Sequence, residues 1–356
     1  MVGCCLPSVS ITIMPRLKNA SSGAERPKRV TLQDIADVAG VKKMVVSNAL
    51  NGTRSVAPAT REKVQRIARE MNYVPNFAAR ALTTGRTGII AILCGRLNQP
   101  YYANMVHLLE QHIHAEGLNL LLVRTPKDVK ELVNATGNIV VDGAIAVDML
   151  GLVGEFNSTS HIPCVSIATI KRSLVDHVLV DLSAGVREAV NLMLADGRQR
   201  IAYVVTSEFM GRDTEVRARA YREAMQAGNR VPEVINVMAE MPADLEKNFK
   251  AYIEEHGCPD GLVCQNDETA MSAFRVLKAS GYKVPTDVLL VGCDGHPHME
   301  DFEPPLSTIV QPMEELCAKA WEFLQNRIAQ PDLPHQEAIF EGKLVVRESL
   351  KTSAEE

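Results

Sequence analysis

The sequence predicts a two-part chain: a small helical N-terminal part, then a larger α/β body built on parallel sheets. Between residues 30 and 74, apolar residues recur at the spacing of helix faces. From residue 87 to 350, short apolar runs alternate with helical segments, which is typical of parallel strands covered on both sides. The chain has 356 residues and 46% hydrophobic content, which suits a globular protein of two or three domains.

Charge separates the same two parts. Residues 15–86 contain 14 Lys or Arg against 5 Asp or Glu, whereas residues 87–356 contain 24 against 38. The net charge of −5 therefore hides a basic front and an acidic body. A basic surface of this kind indicates a polyanionic partner such as nucleic acid. A solvated basic surface with no partner is the alternative.

A capping motif predicts the first helix. Thr31 is followed three residues later by Asp34, so each residue can bond the backbone amide of the other. Gly40 then permits a sharp turn after the helix. One face of this helix is apolar and consists of Leu32, Ile35, Ala36 and Ala39.

The second helix follows at once, which makes a helix-turn-helix. Its apolar positions can pack on the first helix: Val41, Val45, Val46, Ala49 and Leu50. The opposite side faces solvent or a partner and carries Lys42, Lys43, Met44, Ser47 and Asn48. Taken alone, residues 31–52 also fit a helical hairpin packed into a larger core.

A third helix and a short alanine-rich segment complete the N-terminal part. Pro58 stands at a first-turn position, and the apolar face that follows consists of Val64, Ile67, Ala68 and Met71. Residues 76–83 contain three alanines but are too few for a stable isolated helix. Folding of this segment should therefore require a partner, unless it is a plain linker.

The N-terminal part resembles a known family. Residues 41–51 read Val-Lys-Lys-Met-Val-Val-Ser-Asn-Ala-Leu-Asn. This run resembles the Val-Ser-x-x-Thr-Val-Ser-Arg-x-Leu-Asn motif of the lactose-repressor/galactose-repressor family of bacterial transcription regulators. Lys42, Val45 and Asn48 depart from the motif, which leaves the operator sequence open. Residues 73–82 resemble the hinge segment of the same family, and the resemblance covers about residues 31–350.

The resemblance implies that a double-stranded DNA operator is the partner of the N-terminal part. Leu82 holds the position of the family's hinge leucine, which wedges between base steps in the minor groove and bends the duplex. Major-groove readout is expected from the exposed side of the second helix. The predicted DNA-binding residues are Thr31, Lys42, Lys43, Met44, Ser47, Asn48, Asn76, Ala79, Arg80 and Leu82.

The body is predicted to consist of alternating strands and helices. Strands are expected at 88–94, 118–123, 140–147, 162–168, 200–205, 234–237, 261–264 and 288–292. Helices are expected at 101–116, near 127–136, and at 183–196, 213–227, 243–256 and 268–280. Two such halves resemble the periplasmic-binding-protein-like core of the family, with a ligand in the cleft beyond the strand ends.

Five residues match family positions that bind the effector: Tyr101, Tyr102, Arg217, Asn266 and Asp294. A guanidinium and a carboxylate on either side of a cleft suit adjacent hydroxyl groups of a sugar, although nucleoside-like effectors also occur in the family. Each tyrosine fits a core position equally well. Asp267 fits a helix cap as well as a ligand contact.

Several other classes of protein are not indicated. The chain has no G-x-x-x-x-G-K-[ST], G-x-S-x-G or H-E-x-x-H motif, so we expect neither an enzyme nor a cofactor. His296 and His298 lack a third metal ligand at suitable spacing. No apolar run reaches the roughly 20 residues of a membrane span, and the scattered cysteines fit a reducing cytoplasm.

These features predict five segments: a disordered arm at 1–29, a helix-turn-helix domain at 30–74, a hinge at 75–86, an effector-binding and dimerisation core at 87–350, and a disordered tail at 351–356. The sequence leaves open whether translation starts at Met1 or at Met14. We expect a homodimeric, cytoplasmic transcription regulator, most simply a repressor. A sugar-binding protein of the periplasmic class without a DNA role is the alternative.

Overall fold

The structure is a computed structural model and describes residues 30–50, 56–73, 86–125, 127–128, 141–149, 153, 162–170, 175–239 and 241–351. It divides into two compact units, Met1–Asn76 and Phe77–Glu356. The predicted arm, nearly all of the predicted hinge, and the last five residues of the predicted tail lie outside the described residues. Most of the helix expected near 127–136 does so too.

The N-terminal unit contains three helices: α1 (Leu32–Ala39), α2 (Lys43–Leu50) and α3 (Pro58–Glu70). The predicted capping box is present, because the Thr31 amide donates to the Asp34 carboxylate at 2.7 Å and the Asp34 amide donates to Thr31 Oγ1 at 3.3 Å. Gly40 ends α1 with a φ of 67°, in the left-handed region that favours glycine. Sequence and structure therefore agree on the turn between α1 and α2.

The three helices of the N-terminal unit share one apolar core. Its fully or nearly fully buried members are Ile35, Ala36, Ala39, Val46, Ala49, Val56, Val64, Ile67 and Ala68. These are the positions that the helical spacing predicts, with Val56 added from the segment before α3. The opposite side of α2 is thereby left at the surface.

The first half of the core is a parallel sheet of six strands in the order β11-β5-β4-β3-β1-β2. Five of these strands come from the first part of the core: β1 (Ile89–Leu93), β2 (Asn119–Val123), β3 (Gly143–Val147), β4 (Cys164–Ala168) and β5 (Asp176–Asp181). The sixth is β11 (Glu337–Glu341), which pairs parallel to β5. Helices α4 (Pro100–Ala115) and α9 (Met313–Ala329) pack together beside this sheet.

The second half has a sheet of six strands in the order β12-β10-β9-β8-β6-β7. Its strands are β6 (Ile201–Val205), β7 (Glu233–Asn236), β8 (Gly261–Cys264), β9 (Leu289–Asp294), β10 (Ser307–Val310) and β12 (Lys343–Val345). Only β12 is antiparallel to its neighbour in this sheet. Its helices are α5 (Ser183–Ala195), α6 (Val216–Ala227), α7 (Pro242–His256) and α8 (Asp267–Ala279).

Three short 3-10 turns complete the described elements: Phe209–Gly211, Pro297–Asp301 and Glu348–Leu350. The chain passes between the two halves three times, after β5, after β10 and after β11. At these crossovers the Gly342 amide donates to the Asp181 carbonyl at 2.9 Å, so the first and third crossovers are in direct contact.

The predicted fold class is confirmed: a helical N-terminal unit precedes two α/β halves with mainly parallel sheets. The predicted strands agree with β1–β4 and β6–β9 to within a few residues at each end. Strands β5, β10, β11 and β12 and helix α9 were not predicted. Within the described residues, no helix is both long enough and apolar enough to cross a membrane.

Candidate functional site

The first turn of α2 presents a basic and apolar surface to solvent. Lys42, Lys43 and Met44 are all exposed, and the Met44 side chain retains 73% of its accessible area. The other side of the helix is anchored by Val46 and Ala49, which are fully buried. A rigid helix with exposed lysines at its N-terminal end can enter the major groove of a duplex.

The remaining predicted DNA-binding residues occupy three kinds of position. Ser47 and Asn48 lie one turn further along α2 and are half-buried. Thr31 is exposed, but its hydroxyl donates to the Asp34 carboxylate at 2.8 Å as part of the capping box. The four hinge residues lie outside the described residues: Asn76, Ala79, Arg80 and Leu82.

A cavity of about 250 Å³ lies between the two halves of the core, at the carboxyl ends of their strands. The first half contributes Tyr101 and Asn104 from α4, and Met313 at the start of α9 adds an apolar side chain. The second half contributes Asp294 at the end of β9 and Glu268 at the start of α8. This is the position that the strand-end rule for α/β sheets predicts for a ligand.

Tyr101 forms the cavity wall contributed by the first half. Its hydroxyl is hydrogen-bonded to Asp148, which follows β3 with a φ of 52°. Burial raises the pKa of Tyr101 well above its ordinary value, and the negative charge of Asp148 adds to this effect. The phenol is therefore neutral and donates a hydrogen bond to the Asp148 side chain. Its ring also makes an edge contact with Tyr102 at a centroid distance of 5.2 Å.

Asp294 forms the opposite wall and is held in a strained backbone conformation. Its φ is 122°, which non-glycine residues rarely adopt, and Gly295 follows with a φ of 82°. Strain of this kind is retained where a side chain has to point in a particular direction. Gln311 Nε2 donates to Asp294 Oδ1 at 2.7 Å. Burial, followed by the negative charge of Asp267, raises the pKa of Asp294 well above its usual range.

Asp267 holds the loop after β9 in place. Its Oδ2 accepts from the His296 amide at 2.6 Å, and its Oδ1 accepts from the Thr308 hydroxyl at 2.7 Å. Burial raises the pKa of Asp267 to about 6. The cap of α8 is instead Asn266, whose side chain accepts from the Thr269 amide at 3.0 Å. Asp267 thus has a structural role and lines the cavity as well.

Three of the five predicted effector residues do not line this cavity: Tyr102, Arg217 and Asn266. The Tyr102 ring lies over Gly95, where a Cβ atom would overlap it. Arg217 is only 8% exposed; its Nε donates to Glu215 at 2.8 Å and its Nη1 donates to the Gln265 carbonyl at 2.6 Å. Arg217 and Asp294 belong to the same half of the core, so they do not face each other across the cleft.

Sequence reasoning did not single out several residues that the structure places at or beside the cavity: Asn104, Asp148, Glu268, Gln311 and Met313. Two of them had a usable signal. Asp148 directly follows a predicted strand, and Glu268 directly follows the Asn266-Asp267 pair. The other three depend on the packing of α4, α9 and β10 and had no local signal.

The two histidines near the cavity do not form a metal site with their neighbours. His298 Nδ1 lies 2.7 Å from Asp301 Oδ2, and the two histidine rings are 5.0 Å apart. Burial, then the neighbouring His298, lowers the pKa of His296. In the part of the chain that the structure describes, no group of three or more His, Cys, Asp or Glu side chains is placed to hold a metal ion.

Comparison with known proteins identifies both parts of the chain. Residues 31–76 match the model of bacterial regulatory proteins, lacI family. Residues 190–350 match the model of a periplasmic binding protein-like domain. The two matches therefore cover the helix-turn-helix, nearly all of the second half of the core, and α9 and β11 of the first half.

Characterised relatives match over nearly their whole length. The HTH-type transcriptional regulator CelR of Thermobifida fusca is 30% identical over 339 residues, covering 91% of this chain and 99% of the relative. The ribose operon repressor of Haemophilus influenzae is 28% identical over 330 residues, covering 90% and 98%. The HTH-type transcriptional regulator DegA of Bacillus subtilis is 27% identical over 332 residues, with the same coverage.

Solved structures agree with these matches. A CelR–cellobiose complex superposes with a TM-score of 0.64 at 26% identity and covers 90% of this chain and 100% of that one. The lac repressor dimer bound to operator and the anti-inducer ONPF gives a TM-score of 0.74 at 22% identity, covering 91% and 99%. The second likeness concerns the fold alone.

The matches decide between the classes of protein that the sequence left open. A regulator with a DNA-binding domain is favoured over a binding protein without one, because the helix-turn-helix match lies in the same chain as the binding-protein-like core. The prediction that the chain is not an enzyme is confirmed, since the matched family consists of transcription regulators. The chain therefore belongs to the lacI family of bacterial regulatory proteins, in which a helix-turn-helix binds DNA and a periplasmic-binding-like core binds an effector.

Proposed function

We propose that this protein is a homodimeric repressor whose operator affinity is controlled by a sugar bound in the cavity between the two halves of the core. One observation carries the proposal: the cavity has an aromatic wall, Tyr101, on one half and a carboxylate, Asp294, on the other. A ring that packs on the tyrosine can donate hydrogen bonds from its hydroxyl groups to the Asp294 side chain. The relatives add support, since one was solved with cellobiose and another is named for the ribose operon.

The DNA contacts follow from the exposed side of α2. Lys43, Met44 and Ser47 reach base edges, while Lys42 and Asn48 lie near the phosphates. Hinge residues Asn76, Ala79, Arg80 and Leu82 complete the interface, with Leu82 as the minor-groove wedge. This assignment rests on family resemblance together with the exposure of Lys42, Lys43 and Met44.

Control of DNA binding by the effector requires two arrangements of the core. A ligand shifts such an equilibrium only if it binds the two arrangements with different affinity. The proposed ligand touches both halves, so it distinguishes arrangements in which the halves differ in orientation. The proposed homodimer follows from the family resemblance of residues 73–82, since in that family the hinge segments of two subunits pair on one operator. The protein would work in the cytoplasm, where the operator is.

The decisive experiment combines ligand screening with operator binding. Purified protein is screened by thermal shift against monosaccharides, disaccharides and nucleosides, and the stabilising compounds are added to an operator-binding titration. Asp294→Ala should retain operator affinity and lose the response to the compound. A matched control is Asp301→Ala, an exposed carboxylate on the neighbouring turn that should respond normally.

Two outcomes would contradict the proposal. A normal response from Asp294→Ala would remove this carboxylate from the effector site. Stabilisation by nucleosides alone would replace the sugar with the other effector class of the family. The mass of the free protein in solution tests the homodimer independently.

A further inference from the structure

The cavity between the two halves carries an excess of carboxyl groups. Asp267, Glu268 and Asp294 all line it. Asp267 and Asp294 are buried, and Glu268 is half-buried. Among the residues that the structure describes, no Lys or Arg lines the cavity or forms an ion pair with any of these three carboxylates.

The buried cation Arg217 is already paired with another carboxylate. Arg217 forms an ion pair with Glu215 at 2.8 Å, and its Nη1 binds the Gln265 carbonyl. The other oxygen of Glu215 accepts from the Ala218 amide at 2.9 Å, so the carboxylate is fixed at the start of α6. The positive charge of Arg217 still lowers the pKa of Asp294, and that of Arg347 lowers the pKa of Asp267, although neither forms an ion pair with these carboxyl groups. Glu268 differs from both, because no Lys or Arg among the described residues acts on its pKa.

Two effects disfavour the charged forms of these carboxyl groups: loss of hydration on burial, and repulsion between neighbouring negative charges. Burial raises the pKa of Glu268 to about 7, and the negative charge of Asp267 contributes. Gln311, which donates to Asp294, adds a further acceptor that lacks a donor. Its Oε1 atom is buried and has no hydrogen-bond partner among the described residues. A ligand that brings protons and positive charge would relieve this arrangement.

Size and shape limit the ligand further. The cavity of about 250 Å³ lies below the range of roughly 300–1,000 Å³ that is usual for drug-sized ligands. Its apolar surface comes from Pro100, Tyr101 and Met313. A single small ring with polar groups around its edge fits this combination of one apolar wall and several acceptors.

We propose that the effector carries an ammonium group on a polyhydroxylated ring of monosaccharide size, and that Glu268 is the side chain that selects the ammonium group. This inference deepens the proposed function and rests on it. Asp294 would accept from ring hydroxyls, and Glu268 would pair with the ammonium group. A phosphorylated sugar is excluded by the same charges, because it would place a further negative charge of about 1.5–2 beside three carboxylates.

Hexosamines are the matched probes, since each replaces one hydroxyl of its parent sugar by an ammonium group of similar size. Glucosamine, galactosamine and mannosamine are titrated into the full-length protein at neutral pH and low salt, in a buffer free of amines. The parent hexoses, the N-acetylated hexosamines and the hexose 6-phosphates are titrated in parallel. At least one hexosamine should bind about tenfold tighter than its parent, which corresponds to about 1.4 kcal/mol, because hydrogen bonds to charged groups are stronger than neutral ones.

Glu268→Gln supplies the test of the residue. It keeps the shape and removes the charge, so the ratio of the affinity for the hexosamine to that for its parent hexose should fall to about threefold or less. Glu254→Gln is the control, because this glutamate lies on the exposed face of α7 and its side chain is 66% exposed. It should retain the full preference.

The outcomes separate this inference from the proposed function. If parent hexoses bind as tightly as the hexosamines, or if the 6-phosphates bind best, the amine is wrong and the sugar effector stands. If Glu268→Gln keeps the full preference for the amine, the assignment of Glu268 as the selecting residue is wrong. If none of these sugars binds, the amine is wrong; if no sugar of the wider screen binds either, the sugar effector fails as well.

Discussion

Glu215 lies two residues before Arg217 and satisfies it within the same turn: Arg217 Nε donates to Glu215 Oε1 at 2.8 Å, and both side chains are buried. Burial alone would lower the pKa of Arg217, but the negative charge of Glu215 and of further neighbours outweighs it and raises the pKa. The pair therefore stays charged inside the core. The bonds of Arg217 to Glu215 and to the Gln265 carbonyl both lie within the second half of the core.

The first prediction concerns this pair. Glu215→Gln leaves a buried guanidinium without its counter-charge, so the free energy of unfolding should fall by about 3 kcal/mol. Glu208→Gln is the control, because Glu208 and Arg212 form an exposed pair in which the side chains are 78% and 57% accessible. That control should change stability by less than about 1 kcal/mol. Urea unfolding measures the free energy of unfolding of both variants. Equal losses would show that the buried pair stabilises the protein no more than the exposed pair does.

The second prediction concerns the pH dependence of stability at Glu268. Its pKa is about 7 in the folded protein, against an ordinary value of 4.5. Between these values the folded state binds more protons than the unfolded state, so this carboxyl lowers stability as the pH rises. Glu268→Gln removes that effect. Its free energy of unfolding should exceed that of the unaltered protein by about 2 kcal/mol at pH 8, a figure reduced for partial solvent screening.

The gain should shrink as the pH falls and disappear near the ordinary value of 4.5. Unfolding curves at pH 5, 6, 7 and 8, without ligand, give the profile. Glu254→Gln, which removes an exposed ion pair with Lys250, is the control and should change the free energy of unfolding at pH 8 by less than about 1 kcal/mol. A constant difference between Glu268→Gln and the unaltered protein across this range would contradict the raised pKa.

The third prediction concerns DNA readout by Met44. Its side chain is 73% exposed on the first turn of α2, where an apolar group suits the C5-methyl group of thymine. Met44→Ala should weaken binding to an operator selected from random duplexes by about 1–2 kcal/mol. Non-specific binding should change little, because it depends on phosphate contacts.

Val38→Ala is the matched control for Met44, since Val38 is an exposed apolar residue on α1 with 61% of its area accessible. It should leave the ratio of specific to non-specific affinity unchanged. Replacing thymine by uracil at each operator position should reproduce the Met44→Ala loss at one position. Equal weakening of specific and non-specific binding by Met44→Ala would exclude a base contact.

Apolar runs were enough to predict β1–β4 and β6–β9, but not β5. The missed strand contains Asp176 and His177, polar residues that seldom lie within a buried strand. The structure shows why they do here: Asp176 forms an ion pair with Arg327, 151 residues away, at 2.7 Å. Strand β11 also comes from far along the chain. It pairs with β5, and its residues alternate between exposed and half-buried. Such partners are set by tertiary structure and leave no local pattern.

The candidate site shows the same limit at single residues. Asp294 and Tyr101 follow strand ends, so topology alone places them near a cleft. Arg217 matches the family position equally well, yet a glutamate two residues earlier engages it. Glu268 was passed over because a glutamate after a helix cap is ordinary in sequence. Glu268 becomes a candidate ligand contact only because the structure shows that it lines the same cavity as Asp294 and Tyr101.

The last prediction concerns the crossovers between the two halves of the core. Gly342 lies on the third crossover, where its amide bonds the Asp181 carbonyl of the first at 2.9 Å. A Cβ atom at Gly342 would overlap Leu182 Cδ2 and lie 3.2 Å from Ile309 Cγ2. Leu182 and Ile309 are buried, so Gly342→Ala should cost about 1–3 kcal/mol of stability through overpacking. Because the halves can reorient only by bending at the crossovers, the same change should alter the coupling between effector and operator.

Gly228→Ala separates the two effects. A Cβ at Gly228 would lie 2.6 Å from Leu194 Cδ1, so it overpacks another leucine, but the site is at the end of α6 within one half. Both variants should lose stability, whereas only Gly342→Ala should change the ratio of operator affinities measured with and without effector. If both variants keep the ratio of the unaltered protein, the crossovers do not limit the change of arrangement. If both shift it equally, the shift reflects lost stability and has no specific origin at the crossovers.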